Sequence, residues 1–491
     1  MLHRALAIIA SSGLVLGLAS AGCGGDDDQD DPSGAGGSSS GSTSGSGTST
    51  STGQGGGGGN MAPPPQPDGC QDTTDAIVDG TGTIITVSPA ADGEVTVEGN
   101  TTTLRSVLQG VEDGDTVLLE DGTYTLAEAG SGYSGIYITT PNVTLRSASG
   151  DASAVIIDSA YRLHGGQTAS ITIDAPGVVL SGFTVRRSVF HLVHLWANGD
   201  DAVIHDVVLE DGGQQFVKAS PGSGFVDGVT VSCSQFLMTD AGRDNVWGYG
   251  AQSGGTRCYT GGIDTHDARR WHVHDSYFRG IHCDGDGPQR PVHGKAPDAR
   301  NGMTYTGGLS EHAIHMWDAP EGGGHVIERN TIVDCARGIG LGFNAETYDS
   351  VIVNNTVSSR FENTPEHDIG ISVMRAHDTE VAHNTVVYTH PNAYPDAIEY
   401  RYGSTTNLAM VNNLTNGNVR SRDGADANLQ TNVSDADLSW FVDADGGNLR
   451  LSSCDQMNVV DAGSTSTSIE DDIDGETRDD TPDIGADECT P

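Results

Sequence analysis

Seven short segments share one pattern, an apolar residue followed by a polar or small residue, then a second apolar one. They are 192–196, 216–220, 262–266, 313–317, 338–342, 368–372 and 397–401. Read as strands, their side chains alternate between two faces. Val193, Val217, Ile263, Ile314, Ile339, Ile369 and Ile398 then point inward, and the next column, His194, Lys218, Asp264, His315, Gly340, Gly370 and Glu399, points outward. Two residues further on, a second outward column reads Trp196, Ser220, His266, Trp317, Gly342, Ser372 and Arg401. Strands stacked in parallel lie about 4.8 Å apart. Lys218, Asp264 and His315 should therefore be successive neighbours, with His266 and Trp317 alongside. An amine, a carboxylate and an imidazole at that spacing perturb one another's pKa values, as acid–base chemistry requires. Trp196 and Trp317 offer flat faces for sugar rings, and Gly340 and Gly342 leave a bare floor between them. Glu311 leads into the Ala313 strand, and its pairing with Asp264 would suit a hydrolase if the two lie about 5–10 Å apart. The candidates for acid–base work are thus Lys218, Asp264, His266, Glu311 and His315; those for ligand contact are His194, Trp196, Trp317 and Arg337. For His194, Glu399 and Arg401, an ordinary solvated face accounts for the residue better than a functional role does.

Such columns need a scaffold that repeats. Four copies of one unit supply it: Ile327 to Ile332, Ile352 to Val357, Val381 to Val386 and Met410 to Leu414, with Asn330, Asn355, Asn384 and Asn413 in the same place, 25, 29 and 29 residues apart. A fixed apolar–polar–Asn unit at this period predicts a solenoid. One coil cannot bury its own apolar face, so the coils must stack. Weaker matches continue upstream at Asp275, Gly228, Asp206, Gly182 and Ser147. The steps Gly228 to Asp275 and Asp275 to Asn330 are long, 47 and 55 residues, and each must hold a large loop or an extra coil. Many glycines, few aromatics and almost no long helical pattern agree with short strands joined by tight turns. One amphipathic helix is expected between Thr102 and Val111, with Leu104, Val107, Leu108 and Val111 on one face.

The formal charge is −43, from 67 acidic residues against 24 Lys plus Arg. Such a field repels polyanions and argues against nucleic acid as a partner. Residues 1–22 read as an export signal: His3 and Arg4, an apolar run, then small residues up to Cys23. Cys23 resembles the lipid-attachment cysteine of a bacterial lipobox. Residues 23–69 continue as an Asp-rich and then Gly/Ser/Thr-rich stretch, a flexible tether. The folded domain is placed at 70–491. The expected location is outside the cell or on the outer membrane, held by a lipid anchor, with the folded part a monomer. Export makes disulfides plausible among the seven remaining cysteines, and proximity along the chain nominates Cys233–Cys258 and Cys454–Cys489. Asp284 and Asp286 in the run His282-Cys283-Asp284-Gly285-Asp286-Gly287 are a weak candidate for Ca²⁺.

The run Leu104 to Tyr124, with Asp113-Gly114-Asp115-Thr116 and Gly122-Thr123-Tyr124, resembles the opening of right-handed parallel β-helix proteins of the pectate-lyase-like superfamily. Val460 to Gly463, Asp474 to Arg478 and Pro482 to Glu488 resemble the closing segment of surface-anchored members. The resemblance covers roughly residues 75–490. It implies a single all-β right-handed parallel β-helix, its first coil capped by the helix, with long loop insertions. It also implies a polysaccharide partner, processed by lyase, epimerase or hydrolase chemistry, or else bound without turnover by an adhesin-like surface protein. Lyases of this kind usually combine Lys or Arg bases with Ca²⁺; here no such signature is complete.

Overall fold

The computed structural model describes residues 70, 79–128, 134–164, 169–222, 224–243, 245–246, 258–283, 309–343, 345–363, 367–467 and 469–490. Cys23, the export signal, the tether, Asp284 and Asp286 lie outside the described residues. The chain forms a right-handed parallel β-helix. Three long sheets run along it, one of 14 strands and two of 10, and in each the neighbouring strands come from successive coils. Pairing within the sheets is parallel from Ile84 onward, apart from the antiparallel strands Val95–Val97 and Asn100–Thr102 at the start. The expected helix is present as α1 (Leu104–Gln109), with Thr103 at its N-cap and Leu104 and Leu108 buried. Its Arg105 donates to the Gly135 carbonyl at 2.6 Å.

The coils enclose one continuous apolar core. Val193, Val217, Ile263, Ile314, Ile339, Ile371 and Ile398 stack in register as one internal column. Phe216, Phe236 and Phe278 form a stack inside it, with ring centroids 6.3 and 4.3 Å apart. The inward residue of the sixth coil is thus Ile371, two positions beyond the expected Ile369.

At one corner the asparagines form a buried ladder. Asn330 donates its backbone N–H and its Nδ2 to Oδ1 of Asn355, both at 3.0 Å. Asn355 repeats this toward Asn384, Asn384 toward Asn413, and Asn413 toward Asn432, a fifth rung beyond the repeats seen in sequence. Each Nδ2 also donates to a strand carbonyl, for example Asn384 to Ile352 O at 2.9 Å. The side chain therefore supplies the partners that a tight corner leaves without any. Upstream, serines continue the ladder: Ser276 N–H donates to Asn330 Oδ1, and Ser234 N–H to Ser276 Oγ. The sequence expectation was one residue early here. Gly182, Asp206 and Asp275 occupy the preceding position, which is left-handed (φ 69, 53 and 49°) and shared by Arg329, Asn354, His383 and Asn412. Asp and Gly suit that conformation, which is why they recur at the same period. Gly228 belongs to the other left-handed corner, with Gly177, Asp201 and Arg270. The two long steps hold loops, not extra coils: Gln235–Leu237 pairs directly with Tyr277–Arg279, and that strand with Thr331–Val333.

The disulfides are Cys70–Cys233, Cys258–Cys283 and Cys454–Cys489, and Cys335 is a buried free thiol. The expected Cys233–Cys258 pair is therefore wrong. Stacking brings residue 70 beside the corner at Cys233, with Cα atoms 5.5 Å apart, and nearness along the chain carries no information about that. The closing segment lies against the corner ridge. Arg478 is buried, donating to Glu488 and to Asn354 Oδ1, while Gly485 N–H donates to Asn412 O.

Replacing one rung strands donors and acceptors on both neighbours. Asn384→Ala should lower unfolding stability by about 2–4 kcal/mol, whereas Asn100→Ala on the exposed edge strand Asn100–Thr102 should cost under about 1 kcal/mol. Chemical denaturation midpoints at constant m-value check this.

Candidate functional site

Seven strands of the third sheet carry the site: β1 (Val193–Leu195), β2 (Val217–Ala219), β3 (Ile263–His266), β4 (His312–Trp317), β5 (Arg337–Leu341), β6 (Ile371–Met374) and β7 (Asp396–Arg401). Their register aligns His194, Lys218, Asp264, His315 and Gly340 as expected, then Ser372 and Glu399. Ser372 replaces the expected Gly370, because the loop before β6 shifts the strand by two residues. The parallel outward column then carries Met374 opposite Arg401, in place of Ser372.

The column faces away from the core but is not a solvated ladder. Lys218, Asp264 and His315 are only 5, 3 and 3% exposed. Lys218 Nζ donates to Asp264 Oδ2. Asp264 Oδ1 lies 3.4 Å from His315 Nδ1, and Oδ2 lies 3.6 Å from His266 Nε2. One carboxylate thus faces three cationic or imidazole groups on three coils. Burial alone would raise the Asp264 pKa, but the Lys218 charge and contacts from His266 and His315 hold it well below the usual carboxylate range. Burial likewise opposes the charge on Lys218, yet the Asp264 carboxylate, with Tyr259 and Glu311, outweighs it and raises the amine's pKa. The balance at His315 is similar: burial is overcome by Asp264, Glu311 and the Gly342 carbonyl, and its pKa rises. The column therefore holds a buried ion pair with an imidazole drawn toward its charged form.

His312 joins this group, which the sequence reading did not foresee. It precedes the column by three residues, and its ring folds over β5 to lie 4.5 Å from the ring of His315. It fits because position 340 is glycine: a Cβ there would meet the His312 ring at 2.8 Å. The expected bare floor at Gly340 is thus filled by the protein's own histidine. Gly342, at φ 72°, turns the chain against the Met374 carbonyl and opens no floor either. Burial, with the charges of His315 and Arg337, keeps His312 well below the ordinary histidine pKa and so neutral. A glycine in the floor column was the available signal.

The open rim of the site is made by His266, Trp317, Trp196 and Tyr259. The His266 side chain is 42% exposed and its ring centroid lies 4.8 Å from that of Trp317. Trp196 is 37% exposed and covers His194 at 4.7 Å. Burial, with the carboxylates of Asp264 and Glu311, pushes the half-buried Tyr259 up to about 12. Glu311 is buried beside His312 and His315. His194 is buried and kept neutral, first by burial and then by His191 and Lys218. Arg337 pairs with Asp368 at 3.3 Å, and Glu399 with Arg422 and Tyr394. His194, Arg337 and Glu399 are thereby placed as supports in the wall. A separate cleft of about 530 Å³ lies under the closing segment, lined by Tyr277, Arg450, Asp474 and Asp487 among others. Arg450 and Asp474 pair with each other there, and no member of the column reaches it.

No protein-family model matches the chain, and no curated protein matches it. Its fold is similar to those of solved structures at low identity. Pectate lyase Pel9A is 13% identical, over 84% of this chain and 97% of that one, at a TM-score of 0.45. The A-module of the Azotobacter vinelandii mannuronan C-5 epimerase AlgE4 is 14% identical, over 67% and 88%, at 0.30. The PL6 family polysaccharide lyase Pedsa3628 from Pseudopedobacter saltans is 10% identical, over 72% and 94%, at 0.33. At these identities no residue role transfers to this chain.

Removing one partner of a buried ion pair leaves the other charge stranded. Lys218→Met should destabilise the domain by about 3–5 kcal/mol, and the double variant Lys218→Met/Asp264→Leu should recover most of that loss. Equilibrium unfolding of the two variants and wild type tests the coupling.

Proposed function

We propose that the chain is an exported, surface-anchored β-helix protein that binds a polysaccharide across the rim of its third sheet and processes it by acid–base chemistry of lyase or epimerase type. The observation that carries this reading is the exposed His266 backed by the buried Lys218–Asp264–His315 network. His266 turns Nε2 toward the Asp264 carboxylate. With its proton on Nε2, toward that carboxylate, the ring keeps Nδ1 as its basic nitrogen. Abstraction of a proton from a sugar carbon next to a carboxyl group needs such a base, together with a cation to steady the charge that develops. Lys218, held charged by Asp264, offsets the negative charge of that carboxylate behind the base. The half-buried Tyr259, pushed up to about 12, keeps its proton at neutral pH and is the proton donor we assign to the return step. Trp317 and Trp196 serve as platforms for neighbouring sugar rings.

In a hydrolase, Asp264, held ionised, would serve as base or nucleophile, and Glu311 would have to be the general acid. Lipid attachment at Cys23 would hold the folded domain outside the cell as a monomer. The remaining reading, glycan binding without turnover, shares the aromatic rim and differs only in the chemistry.

The test is to incubate the full chain with neutral and with uronic-acid-containing polysaccharides. New unsaturated-sugar absorbance, or a changed uronate epimer ratio by NMR, is the expected result. His266→Ala and Asp264→Asn should each lower turnover about 10²–10⁴-fold while far-UV circular dichroism stays that of the wild type. Tight binding to a glycan with no turnover on any would establish the binding-only reading.

A further inference from the structure

We propose that Glu311, His312 and His315 form a binding site for one divalent transition-metal ion of the zinc type. The three residues sit within five positions of each other at the start of β4, and all three are buried. Each presents one ligand atom, and these atoms lie within 4.8 Å of one another.

The hydrogen bonds at the two imidazoles fix what those atoms are. His315 Nε2 lies 3.0 Å from the Gly342 carbonyl, which can only accept, so the ring proton is on Nε2. In the neutral ring His315 Nδ1 then presents a lone pair, and in either protonation state it has no regular hydrogen-bond partner and faces the Asp264 carboxylate at 3.4 Å. A lone pair aimed at an anion is repulsive unless something positive lies between or beside them. His312 shows the same feature independently. Its Nε2 is 3.3 Å from Ser372 Oγ, while its buried Nδ1 has no partner. A proton on His315 would ease the first contact and leave the second orphaned. A metal ion held by His312, His315 and Glu311 satisfies both.

The surroundings fit this reading. A metal-binding histidine usually donates its other N–H to a carbonyl or carboxylate, which orients the ring, and Gly342 O does this for His315. Two imidazoles with one carboxylate suit zinc and its neighbours better than Ca²⁺ or Mg²⁺, which prefer oxygen. Asp264 and Glu311 together outweigh Lys218 by one negative charge, which offsets part of a dication. Ligand atoms around a tetrahedral zinc lie roughly 3.4 Å apart, given bonds of about 2.0–2.1 Å. The trio therefore has to draw in by side-chain rotation, with Gly340 giving the His312 ring room. Three protein ligands leave a fourth position for water or substrate, the arrangement of catalytic zinc. The site is inferred from geometry alone and holds whether or not the chain processes glycans.

The experiment measures metal content without any glycan. The full chain is stripped with a chelator, loaded with Zn²⁺ alone, passed through a desalting column and assayed for bound metal. Co²⁺ loading in parallel reports coordination by its visible absorption. The expected result is one Zn²⁺ per chain and an intense tetrahedral Co²⁺ spectrum. Glu311→Gln and His312→Gln should each weaken Zn²⁺ affinity at least about tenfold. Wild-type protein retaining no stoichiometric Zn²⁺ would overturn the site, and that result does not depend on any variant folding. So would undiminished affinity in either variant with native circular dichroism.

Discussion

The corner ladder is the interaction on which the rest of this molecule depends. Asn355, Asn384 and Asn413 each accept two N–H groups from the preceding rung, Asn330 accepts one from Ser276, and the side-chain amides donate to the next rung and to strand carbonyls. A parallel sheet by itself tolerates sliding of one strand along the next. An amide that must meet the next amide at about 3 Å does not. The ladder therefore pins the register of each coil, and register decides which side chains become neighbours on the third sheet. Lys218 meets Asp264 across 46 residues of sequence, and Asp264 meets His315 across 51, because they stand in register on adjacent coils, whose corners are joined by the serine rungs Ser234 and Ser276.

Once register is fixed, burial governs the chemistry. An exposed Lys–Asp pair would be worth little and would leave the pKa values of both groups nearly unchanged. Here the pair is taken out of water, and the carboxylate is shared among three partners. Low dielectric sharpens each interaction, and the group as a whole keeps Asp264 an anion and Lys218 a cation. Asp264 thereby becomes unable to give a proton and well suited to orient a histidine that takes one. The exposed member of the group, His266, stands at the only place where this potential meets solvent among the described residues of the column.

The solenoid, the inner apolar column and the first five members of the outward column were legible in the sequence, because each rests on a period. Val193 to Ile339 repeat an apolar position, and the asparagines repeat a corner. What escaped has a physical reason in each case. Ile371 and Ser372 replaced Ile369 and Gly370 because the loop before them adds two residues, and apolar residues at both positions fit the pattern equally. Asp275 and Asp206 were mistaken for ladder rungs because the left-handed corner residue recurs at the same period and also favours Asp or Gly. Cys233 found Cys70, since stacking overrides nearness along the chain. Above all, a column read as solvated proved buried, because alternation specifies which way a side chain points and says nothing about what lies over it.

The charge of the chain bears on what could reach this site. Many of the scarce basic residues are already committed: Asp158 takes Arg186 and Arg187, Asp227 takes Arg269 and Arg270, and Asp275 takes Arg329. What remains outside is a strongly negative field, which slows the approach of a polyanion at low salt. The third sheet answers it only locally: Lys218 cancels the Asp264 charge behind the rim, and a dication bound at Glu311, His312 and His315 would add positive charge one coil further on. A uronate-bearing chain would therefore be drawn in only over the last few ångströms, within about one Debye length of the rim. Its recognition would then rest on the tryptophan faces and on that added charge, and its capture should improve with added salt, opposite to the trend for a protein that collects polyanions with its whole surface.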